Sequence, residues 1–416
     1  MYRVSPHIVQ FAWALSAGLV LATLWVNLDP ASYYDVIEYR LWAPHLPSVL
    51  VLAKPIFSLQ FITSQGVMAL FIGLIAKELW EALVLSHGAL SGRHRRIMPL
   101  GAVLGGALGA VTVWLAIPNT AASLYDLGPL SGWSLPIGSD VVLCYVFGTW
   151  VFGKGHPALH LLLLIAIAFD ILGLLGIAVT SLSQWVQPLW LGLSVLALLA
   201  IWRFSSRHAH PGASEIAHRR AALLWPYALA GFVCWLGFVL SGLPGALGLL
   251  PLIPLIPHAE RSFGLFAEAE DVLHDPLNRL AYLLALPVTA TLFLFGLTRG
   301  AVDLQSFGAL TPQILAALWL GKPVGILAGA WIGLRLSGRP MPKGVSAFDL
   351  GLIAILLGMG MTVPLLALDT ALPAGLPADQ VRAGLAASLE FGLLALLLAR
   401  VFGPNAPKVD LCAPRL

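Results

Sequence analysis

The stretch LHLLLLIAIAFDILGLLGIAV, Leu159 to Val179, is apolar enough and long enough to cross a bilayer, yet it holds a carboxylate, Asp170. An ionisable side chain in hydrocarbon marks a functional site unless shown otherwise. Two more such residues lie in other apolar segments: Asp140 in Pro136-Ile137-Gly138-Ser139-Asp140, and Lys322 in Gly321-Lys322-Pro323-Val324-Gly325-Ile326. Together they point to a proton-coupled ion pathway.

Composition places the rest of the chain in the same class. Hydrophobic residues make up 59% of the sequence and charged residues 10%, with a mean hydropathy of +0.88. Such a chain cannot cover a soluble globule with polar surface, so the expected fold is an all-α polytopic membrane protein. Spans are read at about 10-29, 57-82, 98-117, 135-152, 159-180, 186-203, 221-241, 243-257, 280-297, 312-334, 348-368 and 383-402. These about twelve transmembrane helices form one transporter domain over 1-416, with a first half to about 203, a basic loop 203-220 and a second half over 221-403. The 14 tryptophans suit interfacial belts. Cys144, Cys234 and Cys412 lack metal-ligand spacing and read as apolar packing.

Charge placement orients the spans. Arg93, Arg95 and Arg96, then Lys154, then Arg203, Arg207, Arg219 and Arg220, then Arg335, Arg339 and Lys343 fall in alternate loops. The intervening loops, with Asp29, Asp35, Glu38, Asp126, Asp369 and Asp379, carry few basic residues. The positive-inside rule makes the basic loops and both termini cytoplasmic. The first apolar segment lacks a convincing cleavage site and is kept as a span.

Two spans are interrupted. Ser134-Leu135-Pro136-Ile137-Gly138-Ser139-Asp140 breaks one, and Gly358-Met359-Gly360-Met361-Thr362-Val363-Pro364 breaks another about seven spans later. Proline removes a helix hydrogen bond and glycine weakens the turn. Unwound backbone at membrane depth persists only where protein or a water-filled cavity satisfies it, and paired broken helices point to a transporter binding site. A proline kink or a glycine packing surface is the plainer alternative for either segment alone.

These strings resemble the NhaA-type sodium/proton antiporters. Gly66-Val67-Met68-Ala69-Leu70-Phe71-Ile72-Gly73-Leu74 looks like that family's second helix. Gly132-Trp133-Ser134-Leu135-Pro136 with Ser139-Asp140 is similar to its first broken helix, Ala166 to Gly173 to its paired-aspartate segment, Gly321 to Ile326 to its lysine motif, and Gly358 to Thr362 to its second broken helix. The resemblance implies inverted repeats whose broken helices cross beside an ion-binding carboxylate, here Asp170, which would hold Na+ or Li+ and protons by turns. Asp140, Ser139, Thr362 and Lys322 would support that site. It also implies a bacterial inner-membrane location and a homodimer, with a contact between Asn27 and Pro55, where Tyr33, Tyr34, Tyr39 and Trp42 equally suit an interfacial belt.

The departures from the family pattern are specific. Where two adjacent aspartates are expected, the chain reads Phe169-Asp170, so Lys322 lacks its usual salt-bridge partner. It could pair with Asp170 or Asp140, sit neutral, or reach water. Loss of one titrating group makes one-for-one electroneutral exchange a natural hypothesis. Arg299, in Gly296-Leu297-Thr298-Arg299-Gly300-Ala301, is read as a rim residue pairing with Asp303, against the alternative of a new cation at the outward mouth. Ser241-Gly242-Leu243-Pro244-Gly245-Ala246 lacks the family's His and Thr, and Ile75-Ala76-Lys77-Glu78-Leu79-Trp80-Glu81 lacks its first acid at the cytoplasmic mouth. His208, His210 and His218 read as solvated, as do Glu268, Glu270 and Asp271. Glu390 could pair with Arg382 or face a partner surface.

The leading function is secondary antiport of Na+ or Li+ against protons, serving pH and sodium homeostasis. The alternatives are a same-fold carrier of an anion or organic substrate, in which Phe169, Lys322 and Arg299 would shape the cavity, and a non-transporting scaffold. No hydrolase, redox or nucleotide-binding signature is present, so no enzyme activity, no cofactor and no nucleic-acid partner is expected; the lipid bilayer is the expected environment.

Overall fold

The computed structural model describes residues 6-42, 57-84, 93-117, 128, 130-182, 186-208, 223-256, 276-338 and 340-402. The chain is helical almost throughout. Proline opens several helices, where its missing N–H would have no partner anyway: α1 (Pro6–Leu28), α2 (Pro30–Ile37), α7 (Pro157–Leu182), α8 (Pro188–His208) and α10 (Pro276–Arg299). The second span runs through α3 (Leu59–Phe61), a π-helical turn (Ile62–Val67) and α4 (Met68–Val84). α5 is Arg93–Ala116, α6 is Val141–Phe152 and α9 is Trp225–Ser241. The second half continues with α11 (Leu310–Ala316), a second π turn (Ala317–Gly321), α12 (Lys322–Ser337), α13 (Ala347–Leu356), α14 (Thr362–Ala371), α15 (Leu376–Ala387) and α16 (Glu390–Phe402). Two short antiparallel strands, β1 (Arg40–Trp42) and β2 (Phe57–Ser58), link α2 to the second span.

Among the described residues, eight helical segments are long and apolar enough to cross a membrane, and five shorter apolar ones accompany them. Large apolar side chains face outward on them, including Leu104, Leu108, Val324, Trp331 and Leu286. Exposed apolar surface on this scale suits a hydrocarbon surround. The segment expected as a span over 243-257 is instead two 3-10 turns, Gly245–Leu247 and Leu250–Leu255. Pro244, Pro251 and Pro254 remove the donors that an α-helix would need there. The last expected span is broken at Ser388-Leu389, between α15 and α16. The basic loop 203-220, with His210 and His218, lies largely outside the described residues, as do Glu268, Glu270, Asp271, Asp126 and Cys412.

One seam organises the interior. α5 and α12 run antiparallel in close contact, with Gly101, Gly105 and Gly109 facing Gly329, Gly325 and Gly321 in that order. The four-residue spacing on both helices puts each trio on one face. A Cβ on Gly101 would lie 2.5 Å from Gly329 O, and one on Gly109 would lie 3.0 Å from Gly325 Cα. Backbones this close gain packing that no larger residue permits. A similar approach joins α1 to α10, where a Cβ on Gly18 would sit 2.9 Å from Leu297 N. α8, α9 and the 3-10 turn Leu250–Leu255 share a smaller core of Ile201, Tyr227, Ala230, Leu252 and Ile256.

Candidate ion-exchange site

Both interrupted spans are unwound where the prolines and glycines stand. Leu130 to Ile137 is a chain of turns, and Gly138 to Asp140 has no regular structure, with Asp140 extended, before α6 begins at Val141. Leu357 to Met361 separates α13 from α14, and Pro364 falls in the first turn of α14, where no N–H is needed. The two unwound stretches cross. A Cβ on Gly138 would lie 2.7 Å from Val363 Cβ, and one on Gly360 would lie 3.4 Å from Gly138 O. α7 enters the same crossing at Gly173, where a Cβ would be 3.1 Å from Gly138 Cα. Gly173 is one turn beyond Asp170, so this approach brings the carboxylate to the unwound chain.

Asp170 is fully buried. Its Oδ1 accepts from Ser139 N at 3.0 Å and lies 3.5 Å from Ser139 Oγ, while Oδ2 has no hydrogen-bond partner among the described residues. Leaving a buried carboxylate oxygen open costs about 1–3 kcal/mol or more, so such an atom calls for a functional explanation. Asp140, also fully buried, is the N-cap of α6: its Oδ1 accepts from Leu143 N at 2.8 Å. Its Oδ2 accepts from Thr362 N at 3.3 Å, at the start of α14. One carboxylate therefore faces the positive ends of two half-helices. Thr362 Oγ1 is buried beside it, with no hydrogen bond of good geometry among the described residues.

Lys322 is fully buried and makes no ion pair among the described residues. Its Nζ donates to Gly138 O at 2.6 Å and lies 4.7 Å from the centre of the Phe169 ring. A desolvated cation over an aromatic face gains up to about 2 kcal/mol, and the carbonyl freed by the break supplies the acceptor. The ring that replaces the expected second carboxylate thus still serves the ammonium. Gly106 of α5 makes room for it: a Cβ there would lie 2.5 Å from Phe169 Cζ. Of the sequence-selected residues, Asp170, Asp140, Ser139, Thr362, Lys322 and Phe169 meet at this crossing.

Arg299 does not. It is 6% exposed, so it is no rim residue, and its partner is Asp369, with Ser64 Oγ at 3.3 Å. Asp303 instead accepts from Gln305 N at 2.8 Å. Asp369 wins because α14 carries it against the end of α10, whereas Asp303 is turned into its own loop. Arg382 pairs with Asp379 at 2.6 Å, and Glu390 is exposed.

Ser388 escaped the sequence, as did the burial and pairing of Lys77 within the string quoted at the cytoplasmic mouth. Ser388, in the break between α15 and α16, accepts from Gly360 N at 3.1 Å and so holds the second unwound stretch. A lone serine in an apolar span was its only signal. Lys77 is buried between Glu78 at 3.3 Å and Glu81 at 3.2 Å, three charges within an apolar run. Among the described residues, no group of three or more His, Cys, Asp or Glu side chains forms a metal centre.

Helices that span a membrane, two of them broken and crossed beside a buried carboxylate with an open oxygen, define a secondary active transporter. The comparisons with known proteins make this particular: the chain belongs to the Na+/H+ antiporter 1 family, whose profile matches residues 9–399. It is similar to the Na(+)/H(+) antiporter NhaA of Jannaschia sp. (strain CCS1), 36% identical over 411 residues that cover 95% of this chain and 96% of the relative. The Na(+)/H(+) antiporter NhaA of Geobacter sulfurreducens is 33% identical over 362 residues, 86% of each chain. The solved structure of the sodium proton antiporter MjNhaP1 from Methanocaldococcus jannaschii superposes with a TM-score of 0.40 at 17% identity, covering 95% of this chain and 98% of that one, a likeness too loose to bear on the site.

Proposed function

We propose that this chain exchanges Na+ or Li+ for H+ across a bacterial inner membrane, with both termini in the cytoplasm and Asp170 as the exchanging carboxylate. The observation that carries this reading is the open Oδ2 of a fully buried aspartate whose other oxygen is fixed by the unwound chain. That atom can take a proton or, with Ser139 Oγ and Thr362 Oγ1 as further oxygen donors, a small cation; it cannot take both. Competition for one atom, combined with alternating access of the crossing to the two faces, is exchange.

The single carboxylate also bears on stoichiometry. Asp170 with Na+ and Asp170 with H+ carry the same charge, and Lys322 has a carbonyl and a ring for partners rather than an acid it could exchange protons with. We therefore assign one-for-one, electroneutral exchange. Asp140 stays engaged by two backbone amides and orients the half-helices. A second copy of the chain is assigned to the short sheet and α2, where Tyr39 and Leu41 are exposed.

The test is proton flux in inside-out vesicles with a preformed pH gradient. Sodium or lithium should collapse the gradient in the wild type and leave it intact in Asp170→Asn. Collapse that persists in Asp170→Asn would remove Asp170 from the reaction; an inserted wild type indifferent to every cation would remove the reaction itself.

A further inference from the structure

The exchange site leaves a second buried polar cluster unused. Arg299, at the end of α10, pairs with Asp369 of α14 and reaches Ser64 Oγ at 3.3 Å, while its Nε has no hydrogen-bond partner among the described residues. Ser64 lies in the π turn of the second span, a local distortion common at functional sites, and the neighbouring Gln65 Oε1 is likewise buried and open. Asp369 is the member that reaches the surface, at 33% exposure against 6% for Arg299. With Arg382 paired to Asp379 nearby, two arginines and two aspartates balance at rest.

The geometry connects this cluster to the ion site through one helix. α14 begins at Thr362, whose N–H binds Asp140, and Asp369 lies two turns further along, about 10 Å by helical rise. Ser64 and Arg299 belong to the second span and to α10, neither of which contributes a residue to the crossing. The pair thus ties the helix that forms the exchange site to two helices that do not.

We propose that Arg299 and Asp369 determine access to the site: while they are paired they close the path from Asp170 to the outward face, and loading from outside requires Arg299 to release Asp369. The guanidinium acts as a tethered occupant of the carboxylate that an incoming cation meets first. This rests on the exchange reading and on the cytoplasmic placement of the basic loops, which puts Asp369 outward.

The experiment compares the apparent KM for sodium at the outer and inner faces, in right-side-out and inside-out vesicles. The variants are Arg299→Gln, Asp369→Asn and the charge swap Arg299→Asp with Asp369→Arg. Arg299→Gln, which frees the receiving carboxylate, should lower the outer KM relative to the inner by on the order of tenfold; Asp369→Asn, which removes that carboxylate and leaves the guanidinium in the path, should raise it, and the swap should move the ratio back. An unchanged ratio in inserted, exchanging variants overturns the proposal. A second measurement needs no transport. Leu365→Cys, on the face of α14 between Thr362 and Asp369, should react with an impermeant thiol reagent from outside more readily when combined with Arg299→Gln. No gain in reactivity also overturns the closure. If the wild type fails to exchange any cation, the exchange reading falls, and the thiol result still decides whether the pair seals the path.

Discussion

The α5–α12 seam and the crossing of the broken segments lie side by side and solve opposite problems. At the seam, glycine faces glycine and no atom can be added between the two backbones. At the crossing, carboxylate and hydroxyl oxygens are left open inside protein. The contrast shows how the second depends on the first. Gly106, next to the seam residue Gly105, makes the slot for Phe169, and Lys322 follows directly on the seam residue Gly321. A rigid contact between two helices therefore sets the ammonium over the ring and holds an otherwise adaptable site in register.

This dependence can be broken in graded ways. The largest effect is expected from Gly105→Leu, which forces side-chain atoms into a backbone contact and should cost more than about 3 kcal/mol, seen as loss of folded protein after detergent extraction. Normal yield with intact exchange would show that the seam does not position the site. Next comes Phe169→Asp, which exchanges the ring for an acid beside Lys322. It should make exchange sensitive to an imposed membrane potential, whereas Phe169→Leu should stay insensitive. Ser388→Ala leaves the Gly360 N–H without its acceptor, a loss of about 1–3 kcal/mol, and should raise the apparent KM for sodium several-fold, with Ser388→Thr near wild type. Equal KM values for the two would reduce Ser388 to filler. The smallest consequence for transport attaches to Tyr39→Cys, which should cross-link two copies in the membrane without loss of exchange; only uncross-linked chains in the oxidised membrane would sink the assigned contact.

The sequence made the site legible where chemistry had to interrupt apolar periodicity. Asp170, Asp140 and Lys322 stand out from hydrocarbon, and the Pro and Gly strings mark where the backbone must unwind. Partners made of backbone or ring leave no such mark. Nothing about Gly138 announces that its carbonyl receives Lys322, and Phe169 reads as a lost acid until its face is found under the ammonium. Distance in sequence hid Asp369 from Arg299, because Asp303 lies four residues away and looked sufficient. The 243-257 segment misled for a different reason. Its hydropathy suits a helix, but three prolines withhold the hydrogen bonds, so apolar composition alone could not decide its geometry.

The central claim is that one carboxylate oxygen serves both ions, and the apparent KM for sodium as a function of pH measures it most directly. Lowering pH protonates more of the site, so over the acidic limb sodium should bind more weakly by about tenfold for each pH unit, the slope of one proton per cation. A slope approaching two protons per cation, or a KM indifferent to pH across that limb, would contradict the account.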